Sequence, residues 1–130
     1  MVSCPSAGIP NLITGVQQDI CRGAIPDIIG GLPEEAPDRY QQASPRALLP
    51  LEVPQWHLVG TEDQIVPAAY IKEYVEVARQ YDEVHLKVLS NVGHFELIVP
   101  TITAWSAVRN AVLDIVRRDS RYEYYWNKKV

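Results

Sequence analysis

Cysteine is nearly absent from this 130-residue sequence: Cys4 and Cys21 form no C-x-x-C or metal-like spacing, and two thiols do not make a disulfide framework. Both are expected to be ordinary buried thiols. Cationic clusters are also missing. The net charge of −4 is spread along the chain, so the electrostatic footprint of nucleic-acid or anionic-membrane binding is absent. No apolar run reaches membrane-spanning length, and Met1 to Pro10 has neither the charged nor the apolar region of a secretory signal, so the expected location is cytoplasmic. The ten prolines and seven glycines follow no period, which excludes a repeat array. What remains is a chain that is 47% apolar and 22% charged, enough to bury a core.

Met1 to Cys4 reads as the tail of a short strand ended by Pro5 and by Gly8-Ile9-Pro10, as if the chain began in mid-fold. A short helix is predicted from Leu12 to Cys21, then a break at Gly30-Gly31. A polar loop through Pro33, Pro37 and Pro45 follows, a connection or cap over residues 29–50 and not core. The pattern sharpens at Val53 to Gly60, a β-rich run entered after proline and left at glycine, which predicts a buried strand. Beyond the loop Thr61 to Pro67, the spacing of Ile71, Tyr74, Val75 and Ala78 predicts an amphipathic helix ending near Tyr81. Val84, Leu86 and Val88 alternate with His85 and Lys87, the period of a strand. A last helix is expected to open near Thr101 or Thr103, with an apolar stripe of Trp105, Val108, Val112, Ile115 and Val116.

Strand, helix, strand, helix implies right-handed crossovers, hence an α/β fold: a partial parallel sheet of about three strands with flanking helices. Such a small parallel sheet leaves an edge exposed, which points to missing strands upstream or to pairing with another chain.

Two groups fall at strand C-terminal ends, where open parallel sheets bind ligands. Asp63 lies in Gly60-Thr61-Glu62-Asp63-Gln64-Ile65-Val66-Pro67 after one strand, and His94 in Asn91-Val92-Gly93-His94-Phe95 after the next. A catalytic imidazole needs a carboxylate to fix its tautomer and stabilise the imidazolium. Taken singly, Asp63 serves equally as a turn cap for the following helix, and His94 as a loop histidine. Glu62 competes for the acid role. His57 and His85 fall within strands, where packing or exposure is the expected role, and Trp56 and Trp105 are expected in the core.

The pattern G-x-x-D-x-x-V-P after one strand and G-H after the next, in that order, resembles the acid and histidine loops of the α/β-hydrolase family. Gly30-Gly31-Leu32-Pro33-Glu34-Glu35 and Arg39-Tyr40-Gln41-Gln42-Ala43-Ser44-Pro45 are similar to the segment before the acid strand in its esterase and prolyl-oligopeptidase-like members. The likeness covers residues 1–118, as the C-terminal half of the fold, and leaves 119–130 as a basic-aromatic tail. By its spacing to Val66-Pro67 the resemblance selects Asp63 over Glu62. It implies a serine hydrolase acting on ester or amide bonds, with Asp63 and His94 as catalytic residues and no cofactor or metal.

The sequence departs from the family in having no G-x-S-x-G elbow and no H-G-G-type oxyanion loop. Cys4-Pro5-Ser6-Ala7-Gly8 is the nearest imitation, but Ser6 lacks the first glycine and stands too close to Asp63 for the intervening elements. The expectation is therefore a hydrolase half that is inactive alone, with the elbow upstream or on a partner chain bearing the N-terminal half. The alternative is a non-catalytic interaction or ligand-binding module, self-associating through its sheet edge. Arg117 to Val130 mixes arginine and lysine with Tyr122, Tyr124, Tyr125 and Trp126. A packing extension is favoured there over a stacking platform for single-stranded nucleic acid, because the segment is short and the rest of the chain acidic.

Overall fold

A computed structural model describes residues 8–118. The expected Met1–Cys4 strand, Ser6 and the tail 119–130 lie outside the described residues.

The sheet forms where the β-rich runs stand. β1 (Gln55–Gly60) and β2 (Val84–Leu89) pair in parallel from Gln55 opposite Val84 to Gly60 opposite Leu89. Between them runs α4 (Ala68–Ala78), whose Ile71, Tyr74, Val75 and Ala78 are all buried, as their spacing predicts. Strand alternation divides the side chains between two cores. Val59 and Val84, with the half-buried Leu86 and Val88, meet α4 on one face; Leu58, with Trp56 and Leu89, meets α5 (Trp105–Arg118) on the other. Two strands are present among the described residues, where about three were expected.

α5 opens at Trp105, two to four residues later than its threonines suggest, and its buried stripe is Val108, Ala111 and Ile115, with Ala104 buried in the turn just before it. Val112 is 42% exposed, contrary to expectation. The three- and four-residue steps from Val108 to Ala111 to Ile115 set the helix phase, and a small alanine lets the helix approach the sheet where valine was expected. Trp56 and Trp105 are half-buried against this second core and not inside it. The indole of Trp56 donates to Asp114 Oδ2 (3.0 Å) and stacks on His85 at 4.6 Å, so its polar edge stays near the surface.

The N-terminal third departs most from the sequence reading. α1 (Leu12–Gln17) is shorter than expected, and α2 (Ala24–Ile29) and α3 (Pro37–Ala43) follow. The segment read as a polar connection contributes Tyr40, which is fully buried in the first core and donates its hydroxyl hydrogen to Gly31 O (2.9 Å). Ser44 is buried too, its Oγ accepting from Leu12 N. A tyrosine with its one polar atom satisfied is buried as readily as an aliphatic side chain, which corrects the expectation that this stretch stays out of the core. No helix among the described residues is long and apolar enough to cross a membrane.

Candidate functional site

Parallel strands end on the same side, so the loops that follow β1 and β2 emerge as neighbours, and backbone hydrogen bonds fasten them. Thr61 N donates to Leu89 O (2.9 Å) and Glu62 N to Val92 O (3.0 Å). The approach is so close that a Cβ on Gly60 would stand 1.8 Å from Val92 O, so the glycine of G-x-x-D is needed for space. Asn91 turns the second loop in the left-handed region (φ 56°).

Asp63 and His94 meet across this junction. The Asp63 side chain is fully buried; its Oδ2 lies 2.9 Å from Nδ1 of His94, whose side chain is 24% exposed. A carboxylate only accepts, so the imidazole donates from Nδ1 and keeps the lone pair on Nε2. The other oxygen, Oδ1, accepts from Ile65 N (2.9 Å) and Val66 N (2.8 Å) ahead of α4. One oxygen thus caps the turn before α4 and the other faces the imidazole. Glu62 is exposed and accepts from the neighbouring Thr61 hydroxyl, away from the imidazole. Phe95 and Ile98, in the 3₁₀ turn Phe95–Ile98 beside His94, are 64% and 65% exposed.

Beside the acid loop lies an open cavity of about 600 Å³ lined by Gln18, Asp19, Cys21, Arg22, Gln64 and Ile65. Its near wall is the turn after α1, where Asp19, Cys21 and Arg22 all have positive φ (52°, 60° and 50°). Burial pushes the Cys21 thiol up, and the charge of Asp63 adds to the effect, which places this wall within electrostatic reach of the carboxylate. Sequence reasoning missed the cavity, since its two walls are some forty residues apart in the chain.

The other two histidines make contacts away from this junction. His85 pairs with Glu83 at 2.7 Å on the sheet face that carries Trp56. His57 is buried, and its Nε2 donates to Gln55 Oε1 (3.2 Å), which also accepts from the Tyr74 hydroxyl (2.9 Å). Desolvation lowers its pKa from 6.5 to about 4. Above pH 6.5 the imidazole is neutral folded or unfolded and pH does not matter. Between 6.5 and about 4 the unfolded chain takes up a proton that the folded chain refuses. Stability is therefore expected to fall with acidification across that window, by about 3 kcal/mol at its lower end. Urea unfolding at a series of pH values checks this: His57→Gln should flatten the slope, and an unchanged slope would assign it to other groups.

No protein-family model and no curated protein matches the sequence. Solved structures do. The propionate-bound structure of a thermophilic esterase from the planctomycete Thermogutta terrifontis superposes with a TM-score of 0.64 at 15% identity, over 91% of this chain and 43% of that one. Esterase 2 of Thermogutta terrifontis phosphoramylated by tabun matches 75% of this chain and 36% of its own, with a TM-score of 0.56 at 16% identity. A puromycin hydrolase matches over 70% of this chain and 14% of its own, with a TM-score of 0.54 at 19% identity. The chain thus spans less than half the length of each of these proteins. These likenesses show its fold: the described residues form part of an α/β-hydrolase fold.

Proposed function

We propose that this chain supplies the acid and the base of a serine-hydrolase triad that cleaves ester or amide bonds, Asp63 as the acid and His94 as the base. The reading rests on one observation, the fully buried Asp63 carboxylate 2.9 Å from His94 Nδ1 at the ends of two parallel strands. In the complete site, a serine Oγ attacks the carbonyl carbon and its proton passes to His94 Nε2. Collapse of the tetrahedral intermediate breaks the ester or amide bond, and the same proton leaves with the alcohol or amine. Water, deprotonated by Nε2, then releases the acyl group. Asp63 holds the tautomer throughout and stabilises the imidazolium. The sequence has no G-x-S-x-G, so the nucleophile and the oxyanion donors are assigned to a segment or partner chain outside these 130 residues.

A fluorophosphonate serine-hydrolase probe tests this. The purified chain is expected to form no adduct, and a mixture with an elbow-bearing N-terminal half to form one on the elbow serine. An adduct on Ser6 of the isolated chain would overturn the assignment.

Exposed Phe95 and Ile98 next to His94 favour a second reading, a non-catalytic interaction or ligand-binding module that pairs with itself or with a chain bearing the missing half. A chain that sediments as a stable dimer, and stays unlabelled whatever half is added, would favour this reading over the first.

A further inference from the structure

Asp63 is fixed from its own side, through the two amides on Oδ1. Among the described residues the His94 ring makes no second hydrogen bond of this kind, only an edge-on contact with Phe95 at 5.1 Å. Its position is therefore set by the backbone of its loop, Ser90 to Gly93, which leaves β2 through the left-handed Asn91. Val92 is held through its carbonyl by Glu62 N, and Asn91 N donates to Thr61 Oγ1 (2.9 Å). The same hydroxyl donates to Glu62 Oε1 (3.1 Å), which turns its lone pairs toward the Asn91 amide. Apart from the Asp63–His94 contact, the bond from Asn91 N to Thr61 Oγ1 is the side-chain hydrogen bond that joins the two loops among the described residues.

We propose that Thr61 is a positioning residue: its hydroxyl sets the histidine loop on the acid loop so that His94 Nδ1 meets Asp63 Oδ2. The inference rests on the triad reading for its meaning in catalysis, but its geometry can be tested without activity. Only Val92 and Gly93 lie between Asn91 and His94, so slack at Asn91 reaches the imidazole over a short span of chain. A hydrogen bond from Nδ1 to a carboxylate selects the Nδ1–H tautomer, and losing that alignment releases the ring toward its other tautomer. Serine at position 61 can make both of the hydroxyl's hydrogen bonds. Valine matches threonine in shape and can make neither.

The experiment is nitrogen NMR of the full chain labelled with ¹⁵N-histidine, with the His94 signals identified by their loss in His94→Gln. The unsubstituted chain and Thr61→Ser are expected to show mainly the Nδ1–H tautomer. In Thr61→Val the ratio of Nδ1–H to Nε2–H should fall roughly five-fold, the effect of losing one ordinary hydrogen bond. A folded Thr61→Val chain with the unsubstituted tautomer pattern would overturn the proposal. If Thr61→Val does not fold, amide exchange in the unsubstituted chain decides. Slowing of the Asn91 N–H by about tenfold or more over the unprotected rate supports the clamp, and free exchange overturns it. An intact tautomer signature in a chain that stays unlabelled even when an elbow-bearing N-terminal half is added would refute the hydrolase reading and leave the clamp standing.

Discussion

Gly60→Ala is expected to cost about 4 kcal/mol or more, enough to unfold much of a marginally stable domain. The added methyl would meet Val92 O at 1.8 Å, Val92 C at 2.5 Å and Val92 Cβ at 3.0 Å, and the first two are backbone atoms that no rotamer change removes. Ordinary contact requires a displacement on the order of 1.5 Å, in a junction where Glu62 N bonds the same carbonyl and Thr61 N bonds Leu89 O. Moving the loop away breaks those bonds; leaving it in place keeps the clash. Backbone conformation does not enter, since Gly60 lies outside the left-handed region that glycine favours. Gly93 provides the contrast. A Cβ there meets Glu96 Oε2 at 2.5 Å, the far end of a half-exposed side chain that can swing aside, so Gly93→Ala is expected to cost less than about 1 kcal/mol. Urea unfolding of the two variants measures the difference. A Gly60→Ala chain as stable as Gly93→Ala would mean that the acid and histidine loops are not packed as described.

This comparison bears on what could be read from the sequence. That Asp63 and His94 would meet was legible because a β-rich run closed by Gly60 and a period-two run from Val84 to Val88 mark where two strands end, and parallel pairing then brings those ends together. The glycine of G-x-x-D was visible as a letter, but its reason, the carbonyl of Val92 in the next strand's loop, was not. Thr61 stood in the same motif with no sign that its hydroxyl reaches Asn91. α4 was legible because a large apolar side chain recurs on each turn. α5 was misphased at Val112 because the small Ala111 does the packing there. The turn after α1 gave no signal at all: Asp19, Cys21 and Arg22 adopt positive φ without glycine, so local chemistry pointed to a longer helix. Tyr40 was hidden by its polar, proline-bearing surroundings. Its burial depends on a partner for its hydroxyl, and Gly31 O becomes that partner only once α2 and α3 have folded.

Asp63→Asn is the substitution expected to affect chemistry most, and the division of labour between the two carboxylate oxygens makes it decisive. Asparagine is nearly isosteric and can keep Oδ1 on Ile65 N and Val66 N, so the approach to α4 should survive and stability should change little. Facing His94, however, the acceptor Oδ2 becomes an amide donor. Two donors cannot share a hydrogen bond, so the imidazole must turn to its Nε2–H tautomer, which leaves no lone pair on Nε2 to take the serine proton. In the complete catalytic assembly kcat is therefore expected to fall about 10⁴-fold, the magnitude known for this exchange in the chymotrypsin-type triad. Asp63→Ala removes both functions, and should add a stability loss of about 1–2 kcal/mol from the two amides left without their acceptor. Ester hydrolysis by the elbow-bearing assembly, set beside urea unfolding of each variant, separates the two roles. An Asp63→Asn assembly that retains activity within tenfold would show that the acid is elsewhere, whereas inactive Asn and Ala variants that differ in stability would assign one function to each oxygen.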